Sequence, residues 1–233
     1  MSCAVVRRPA RAVFFDVDFT LIHPGPAFQG TGYREFCARH GVVVQPELFV
    51  QAVAAAAAVL DTTDGAYDPQ IFIDYTRRII VGMGGSGERV DCAARNIYEE
   101  WSACRHFALY EDVPEVLRDL HGRGLTIGLI SNTQRCLDSF RSHFALEGLV
   151  SVAVSSAAHG YMKPHPSIFQ AALERAGASA GEAVMVGDSL QHDVAGARRL
   201  GMRAVLVSRA GPAPGCPPDV PVITTLRDLP PLL

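Results

Sequence analysis

A chain of 233 residues with 48% hydrophobic content suits one medium domain, or a core carrying a smaller insert. Its formal net charge of -3 is unevenly placed: residues 24–108 hold ten acids against seven Arg, the remainder fourteen acids against fourteen bases, so neither part is basic and nucleic acid is not an expected partner. Cys3, Cys37, Cys92, Cys104, Cys136 and Cys216 are scattered without a C-x-x-C pair and read as reduced thiols. The longest apolar run, Ala52 to Leu60, is too short to span a bilayer, and no signal-peptide stretch precedes the first strand, so no membrane partner and a cytoplasmic setting are expected.

In chain order, Ala12-Val13-Phe14-Phe15 predicts a central strand of a parallel sheet, ending in Asp16-Val17-Asp18-Phe19-Thr20-Leu21. Ligands bind at the carboxyl ends of such strands. Strand alternation turns Asp16 and Asp18 to one side and Val17 to the other. Two like charges held so close need a counterion, and Mg2+, a divalent cation with oxygen ligands, meets that need. The plainer alternative for this motif alone is an Asp pair capping a turn. His23-Pro24-Gly25-Pro26 then breaks the pattern. Helices are predicted at about 30–40, 46–61, 70–82 and 88–104, with no good strand between 28 and 104. From residue 112, strands near 126–131, 150–155, 183–187 and 203–208 alternate with helices near 113–123, 134–144, 166–177 and 191–200. Such alternation implies parallel strands joined by right-handed crossovers. A Pro/Gly-rich loop at Gly211–Pro218 precedes a predicted edge strand, Val220–Thr224.

Three later strand ends carry complementary chemistry. The strand near 126–131 ends in Ser131-Asn132. A loop presents Lys163 between Met162 and Pro164. The strand near 183–187 ends in Gly187-Asp188-Ser189, with Asp193 five residues after Asp188. A carboxylate pair, a hydroxyl, an ammonium and a second carboxylate pair suit a phosphoryl group plus a metal. Lys163 is the single Lys among 21 basic residues, as though a compact ammonium were needed where a planar guanidinium does not fit. Each residue also has a plainer reading: Ser131 as the cap of a helix starting near Gln134, Asp193 as a helix N-terminal charge, and Lys163 as a solvated loop charge.

In this order the motifs resemble those of the haloacid dehalogenase-like (HAD) hydrolase superfamily, most of whose members are Mg2+-dependent phosphatases. Asp16, Asp18 and Thr20 match its first motif, Ser131 the second, Lys163 the third, and Asp188 with Asp193 the fourth. The resemblance covers roughly residues 8–23 and 109–210. It implies an α/β fold: a Rossmann-like parallel sheet core with helices on both faces, formed by 1–23 and 109–233, plus a helical-bundle cap at 24–108. It also implies that Asp16 is the nucleophile, forming an aspartyl-phosphate, and that Asp18 is the general acid and then base. Asp16, Asp18 (through its carbonyl) and Asp188 would hold Mg2+. Ser131, Asn132 and Lys163 would bind the phosphoryl group, with Thr20 and Asp193 in support. The expected substrate is a small phosphorylated metabolite, and the expected state a monomer or homodimer.

Phe19 departs from the pattern, standing where many relatives have Gly, with consequences for loop shape or pocket lining. Of the alternatives, a haloacid dehalogenase needs neither a metal nor an acid at Asp18. A phosphonatase needs a cap lysine, and 24–108 has none. A phosphomutase uses the same core residues, and a non-catalytic binding protein usually lacks a catalytic carboxylate. The cap has no motif that names the substrate. Arg34, Arg77 and Arg78 are candidates for a distal anion, or surface charges.

Overall fold

The computed structural model describes residues 9–60 and 65–233; Cys3 and positions 61–64 of the loop expected after the second helix lie outside them. Ala12–Phe15 forms strand β1, at the centre of a six-stranded sheet. Its neighbours are β4 (Thr126–Ser131) and β6 (Ala183–Gly187), beyond which lie β5 (Val150–Ser155) on one side and β7 (Arg203–Val207) and β8 (Val222–Ile223) on the other. Every pairing is parallel.

All four residues of β1 are buried, as a parallel strand covered on both faces requires. Val13 and Phe15 join one apolar cluster, with Leu117 and Leu120 of helix α5 (Val113–Gly122) and Phe140 of α6 (Leu137–His143). Ala12 and Phe14 join the other, with Ile168 and Phe169 of α8 (Pro166–Ala176). The two-residue alternation of one strand thus serves two helical layers.

Between β1 and the rest of the core stand α1 (Gly30–Arg39), α2 (Phe49–Ala56), α3 (Pro69–Gly82) and α4 (Val90–Trp101). Asp68 caps α3, accepting from Gln70 N–H at 2.8 Å, with Pro69 in the first turn. The chain leaves and re-enters the core through two three-residue strands, β2 (Ile22–Pro24) and β3 (Phe107–Leu109), paired antiparallel. Among the described residues no helix is long and apolar enough to cross a membrane.

Three elements differ from expectation for identifiable reasons. The predicted helix 46–61 is regular only over Phe49–Ala56 and is flanked by 3-10 turns at Pro46–Leu48 and Ala57–Leu60; its Ala run favours helix but offers little apolar surface to anchor the last turn. Helix α6 begins at Leu137 rather than near 134 because the preceding loop is committed elsewhere: Thr133 N–H donates to Ser156 Oγ at 2.9 Å, and Arg135 turns back to Asp18. The predicted helix 191–200 is a π-helical turn, Leu190–Ala195, running into the short α9 (Gly196–Arg199). Such turns are often found at functional sites, and this one carries Asp193.

A buried network fixes the chain after β1. Asp112 accepts from Arg209 Nη1 (2.6 Å), Thr225 Oγ1 (2.7 Å) and Leu226 N–H (2.7 Å). Arg209 Nη2 in turn donates to the Thr20 carbonyl at 2.8 Å.

Candidate active site

The site lies at the switch point of the sheet, where the strand order runs outward from β1 to β4 and β5 on one side and to β6, β7 and β8 on the other, at the carboxyl ends of the parallel strands β1, β4 and β6. Phe15 is in register with Leu129 on one side and Val186 on the other, so Asp16 emerges close to Ser131 and Asp188. Its N–H donates to the Val186 carbonyl at 2.9 Å, which fixes its backbone.

Lys163 is 2% exposed and bridges two carboxylates: Nζ donates to Asp16 Oδ1 at 2.6 Å and to Asp193 Oδ1 at 2.7 Å. It is therefore no solvated loop charge. Burial disfavours its ammonium, but Asp16 and Asp193 outweigh burial and hold its pKa above the ordinary value. Asp193, 1% exposed, also accepts from Ser189 N–H at 3.0 Å. Gly187 makes room for this arrangement, since a Cβ there would overlap the Asp193 carboxylate.

Carboxylate oxygens of Asp16, Asp188 and Asp193 lie within 4.8 Å of one another. Burial raises the pKa of Asp16, against Lys163 and with help from Asp193. Asp188 is an exposed residue, yet crowding by protein atoms and then the like charges of Asp16 and Asp193 push its carboxyl up to about 8. Three carboxylates against one ammonium leave two uncompensated negative charges when ionised. An all-oxygen donor set with surplus charge fits a hard divalent cation.

Two buried hydroxyls, Ser131 Oγ and Thr20 Oγ1, have no hydrogen-bond partner among the described residues. A buried donor left unsatisfied is costly unless a ligand completes it. Ser131 caps no helix, because α6 starts at Leu137 with Cys136 at its N-cap. The Asn132 side chain is spent on the Lys163 backbone, accepting from its N–H (2.7 Å) and donating to its carbonyl (2.9 Å).

Asp18 goes elsewhere. Its carboxylate meets the Arg135 guanidinium at 3.1 Å to Oδ1 and 3.2 Å to Oδ2. Arg135 is 1% exposed, donates to the Trp101 carbonyl at 2.8 Å, and lies 4.5 Å from the Phe107 ring centre. Burial raises the Asp18 pKa, and Arg135 opposes it. No motif points to Arg135; its one signal in the sequence is a cation four residues beyond Ser131 in the loop after β4.

Phe19 has φ 64°, the left-handed region in which a non-glycine residue costs about 1–2 kcal/mol. That explains why Gly suits the position. Phe19 is nonetheless 44% exposed, with its ring 6.3 Å from that of Trp101. Of the arginines in the helical segment, Arg34 and Arg78 are exposed, and Arg77 pairs with Asp74 and Asp91.

A family model described as haloacid dehalogenase-like hydrolase matches residues 10–201. The chain belongs to this family of hydrolases. It is 28% identical over 219 residues to haloacid dehalogenase-like hydrolase domain-containing protein 3 of Bos taurus, covering 89% of this chain and 85% of that one. It is 29% identical over 204 residues to ribulose-1,5-bisphosphate 5-phosphatase of Halopiger xanaduensis, covering 84% of each. A solved structure of a 2-haloacid dehalogenase from Pseudomonas syringae pv. Tomato superposes with a TM-score of 0.65 at 25% identity, over 96% of this chain and 97% of that one.

Proposed function

We propose that this protein is a Mg2+-dependent phosphatase that hydrolyses a small phosphorylated metabolite through a phospho-Asp16 intermediate. The observation that carries this reading is the buried Lys163 bridge between Asp16 and Asp193, with Asp188 in the same acidic group and the Ser131 hydroxyl left without a partner. Asp18 favours this over a dehalogenase, which has no use for a second carboxylate there.

Asp16, Asp188 and the Asp18 carbonyl would hold Mg2+, with Asp193 in support. When bound, the ion neutralises charge shared by the nucleophile and the phosphoryl oxygens. The Asp16 carboxylate attacks phosphorus. Lys163 Nζ and Ser131 Oγ donate to the phosphoryl oxygens, while Asn132 keeps the Lys163 backbone in place. Asp18 gives a proton to the leaving alkoxide and later takes one from water. Leaving the Arg135 fork removes the interaction that opposes burial, so Asp18 holds its proton better as it turns to the leaving group.

Residues 24–108 act as a cap over the site, joined to the core through β2 and β3. Support comes from contacts such as Tyr67 N–H to the Gly160 carbonyl (2.9 Å) and Gln134 Nε2 to the Tyr98 carbonyl (2.5 Å).

The test is release of p-nitrophenol from its phosphate, with Mg2+ and with excess EDTA. Activity is expected only with the metal; full activity in EDTA overturns the reading. A companion measurement is Mg2+ affinity against pH. Below about pH 8 the acidic group holds a proton on Asp188 that the metal must displace. Affinity therefore rises about tenfold per pH unit up to that point and then levels off, and titration in buffers of different ionisation enthalpy reports the released proton.

Arg135→Met frees the Asp18 carboxyl that Arg135 holds in place beside the site, and is expected to lower kcat by about 10^2-fold, the low end of the range for acid–base assistance. It also removes the group that lowers the Asp18 pKa, so the limb on which activity falls as Asp18 deprotonates moves to higher pH. A drop in kcat with an unmoved pH profile would make Arg135 a brace between core and cap only.

A further inference from the structure

A cavity of about 380 Å3 opens beside Asp18 and runs into the helical cap. Its walls include Phe19 at the core end and Val53, Phe72, Ile97 and Trp101 from three cap helices. Packed interiors hold few voids larger than a water molecule, and an unfilled apolar space of this size is destabilising. Its place against the proposed acid marks it as a ligand site. None of its described lining residues is Lys, Arg or His, and Asp18 is the single charged one. The stretch 61–64, outside the described residues, is Asp-Thr-Thr-Asp and contains no cation.

Most polar side chains of the lining are partnered: the Tyr98 hydroxyl meets that of Tyr67 at 2.7 Å, Thr76 Oγ1 donates to the Phe72 carbonyl at 2.9 Å, Gln134 Nε2 donates to the Tyr98 carbonyl and the Asn132 side chain is held by the Lys163 backbone, while Gln29 and Tyr75 also line the space. A sugar would bring several hydroxyls that this wall leaves unsatisfied. A second phosphate or a carboxylate would find no counter-charge and would face Asp18. Aromatic faces line the hollow: Phe28 and Trp101 lie 4.4 Å apart between centroids, and Phe72 and Tyr98 6.2 Å.

From this cavity we infer that the leaving group of the substrate is an uncharged, largely apolar alcohol or phenol: the protein acts on aryl or medium-chain alkyl phosphate monoesters. The inference rests on the phosphatase reading for its chemistry and on the cavity alone for its selectivity. At about 30 Å3 per water-sized group, the space of about 380 Å3 admits roughly a dozen non-hydrogen atoms, enough for a fused aromatic pair with its hydroxyl. Phe19 belongs to the same design: a residue held at φ 64° against its own preference places an aromatic ring at the mouth of the cavity, as strained residues at functional sites do. The P–O bond to the alcohol breaks as the Asp16–phosphorus bond forms; the alcohol takes the Asp18 proton and remains in the cavity until release.

Trp101 lines the cavity and is the one Trp in the chain, so its fluorescence reports occupancy without any turnover. Titrating the full-length protein with 1-naphthol is expected to quench it saturably, and glycerol or phosphoglycolate at the same concentrations is expected not to. In steady state, kcat/KM for 1-naphthyl phosphate is expected to exceed that for ribose 5-phosphate and phosphoglycolate by at least about tenfold, the scale of discrimination an apolar pocket provides. Phe72→Asp places a charge on the wall and is expected to collapse this ratio. Phe19→Gly, which relieves the strained backbone and so folds, is expected to lower it too. Acetyl phosphate, whose leaving group is too small to fill the cavity, separates the two readings. If naphthol binds but neither any phosphate ester nor the mixed anhydride acetyl phosphate is hydrolysed, the cavity inference stands and the phosphatase reading falls. If acetyl phosphate is hydrolysed, naphthol leaves Trp101 unchanged and the sugar phosphate or phosphoglycolate is preferred, the apolar leaving group is overturned.

Discussion

Asp16→Asn is expected to abolish the proposed Mg2+-dependent phosphate release, by about 10^4-fold or more, the scale on which removal of a covalent nucleophile acts, and to leave the protein folded. The amide oxygen can still accept from Lys163 Nζ, which approaches Asp16 Oδ1 at 2.6 Å, but it is a poor nucleophile. The stability consequence follows from the raised pKa of Asp16. An acid whose folded pKa lies above its unfolded value binds more protons when folded, so stability falls as pH rises from the unfolded pKa through the folded one, and stays lower above it. Removing that carboxylate also relieves its repulsion of Asp188 and Asp193. The melting temperature of Asp16→Asn at pH 7–8 is therefore expected to equal or exceed that of the unaltered protein. A phosphate-release assay and a thermal melt on one preparation check both halves. Turnover beyond the trace from slow deamidation would remove Asp16 from its role, and a collapsed melting transition would refute the electrostatic account of the site.

Much of this site is legible in the residues because its parts are local. A strand of four apolar residues ending in Asp-x-Asp announces a parallel sheet with carboxylates at its carboxyl edge. Ser131, Lys163 and Asp188 each sit where an apolar run ends or a loop begins. Arg135 is different: its partner Asp18 is 117 positions away, and nothing in a lone loop arginine says which acid it will meet. The π-helical turn at Leu190–Ala195 escapes notice for a related reason. Its register serves the contacts of Asp193 with Lys163 and Ser189 rather than any periodicity of its own side chains. β2 and β3, three residues each, are too short for an alternating pattern. The cavity is hidden more deeply. Val53, Phe72 and Ile97 are apolar residues within predicted helices, but nothing in the sequence says that the space between them is left open. Phe19 was visible as an anomaly, and the positive φ explains it.

Lys163→Met is the change expected to damage the protein most. Lys163 is buried between Asp16 and Asp193, and breaking a buried pair by deleting one partner costs about 3–5 kcal/mol, because the remaining charge is left uncompensated. Here two carboxylates lose their cation at once, with Asp188 close by. Under the proposed mechanism activity is expected to fall by about 10^2–10^3-fold, as when a donor to the developing charge is lost. The pH dependence identifies the cause. A lysine whose pKa is raised on folding contributes stability that is fully present below its unfolded pKa and is lost only as pH rises through the folded one. Between pH 5 and 8 the contribution of Lys163 is therefore constant. In the Met variant Asp16, whose pKa burial already raises and which has lost the cation that opposed that rise, recovers by binding a proton, so the deficit shrinks as pH falls from 8 toward 5. Denaturant titrations of both proteins across that range, in EDTA, measure it. A deficit independent of pH would mean that Lys163 contributes packing rather than charge. Lys163→Arg is expected to restore little activity, because a planar fork cannot place its nitrogens 2.6 and 2.7 Å from two converging carboxylates in the space of one ammonium. That is consistent with a chain that uses Arg at 20 of its 21 basic positions and Lys at this one.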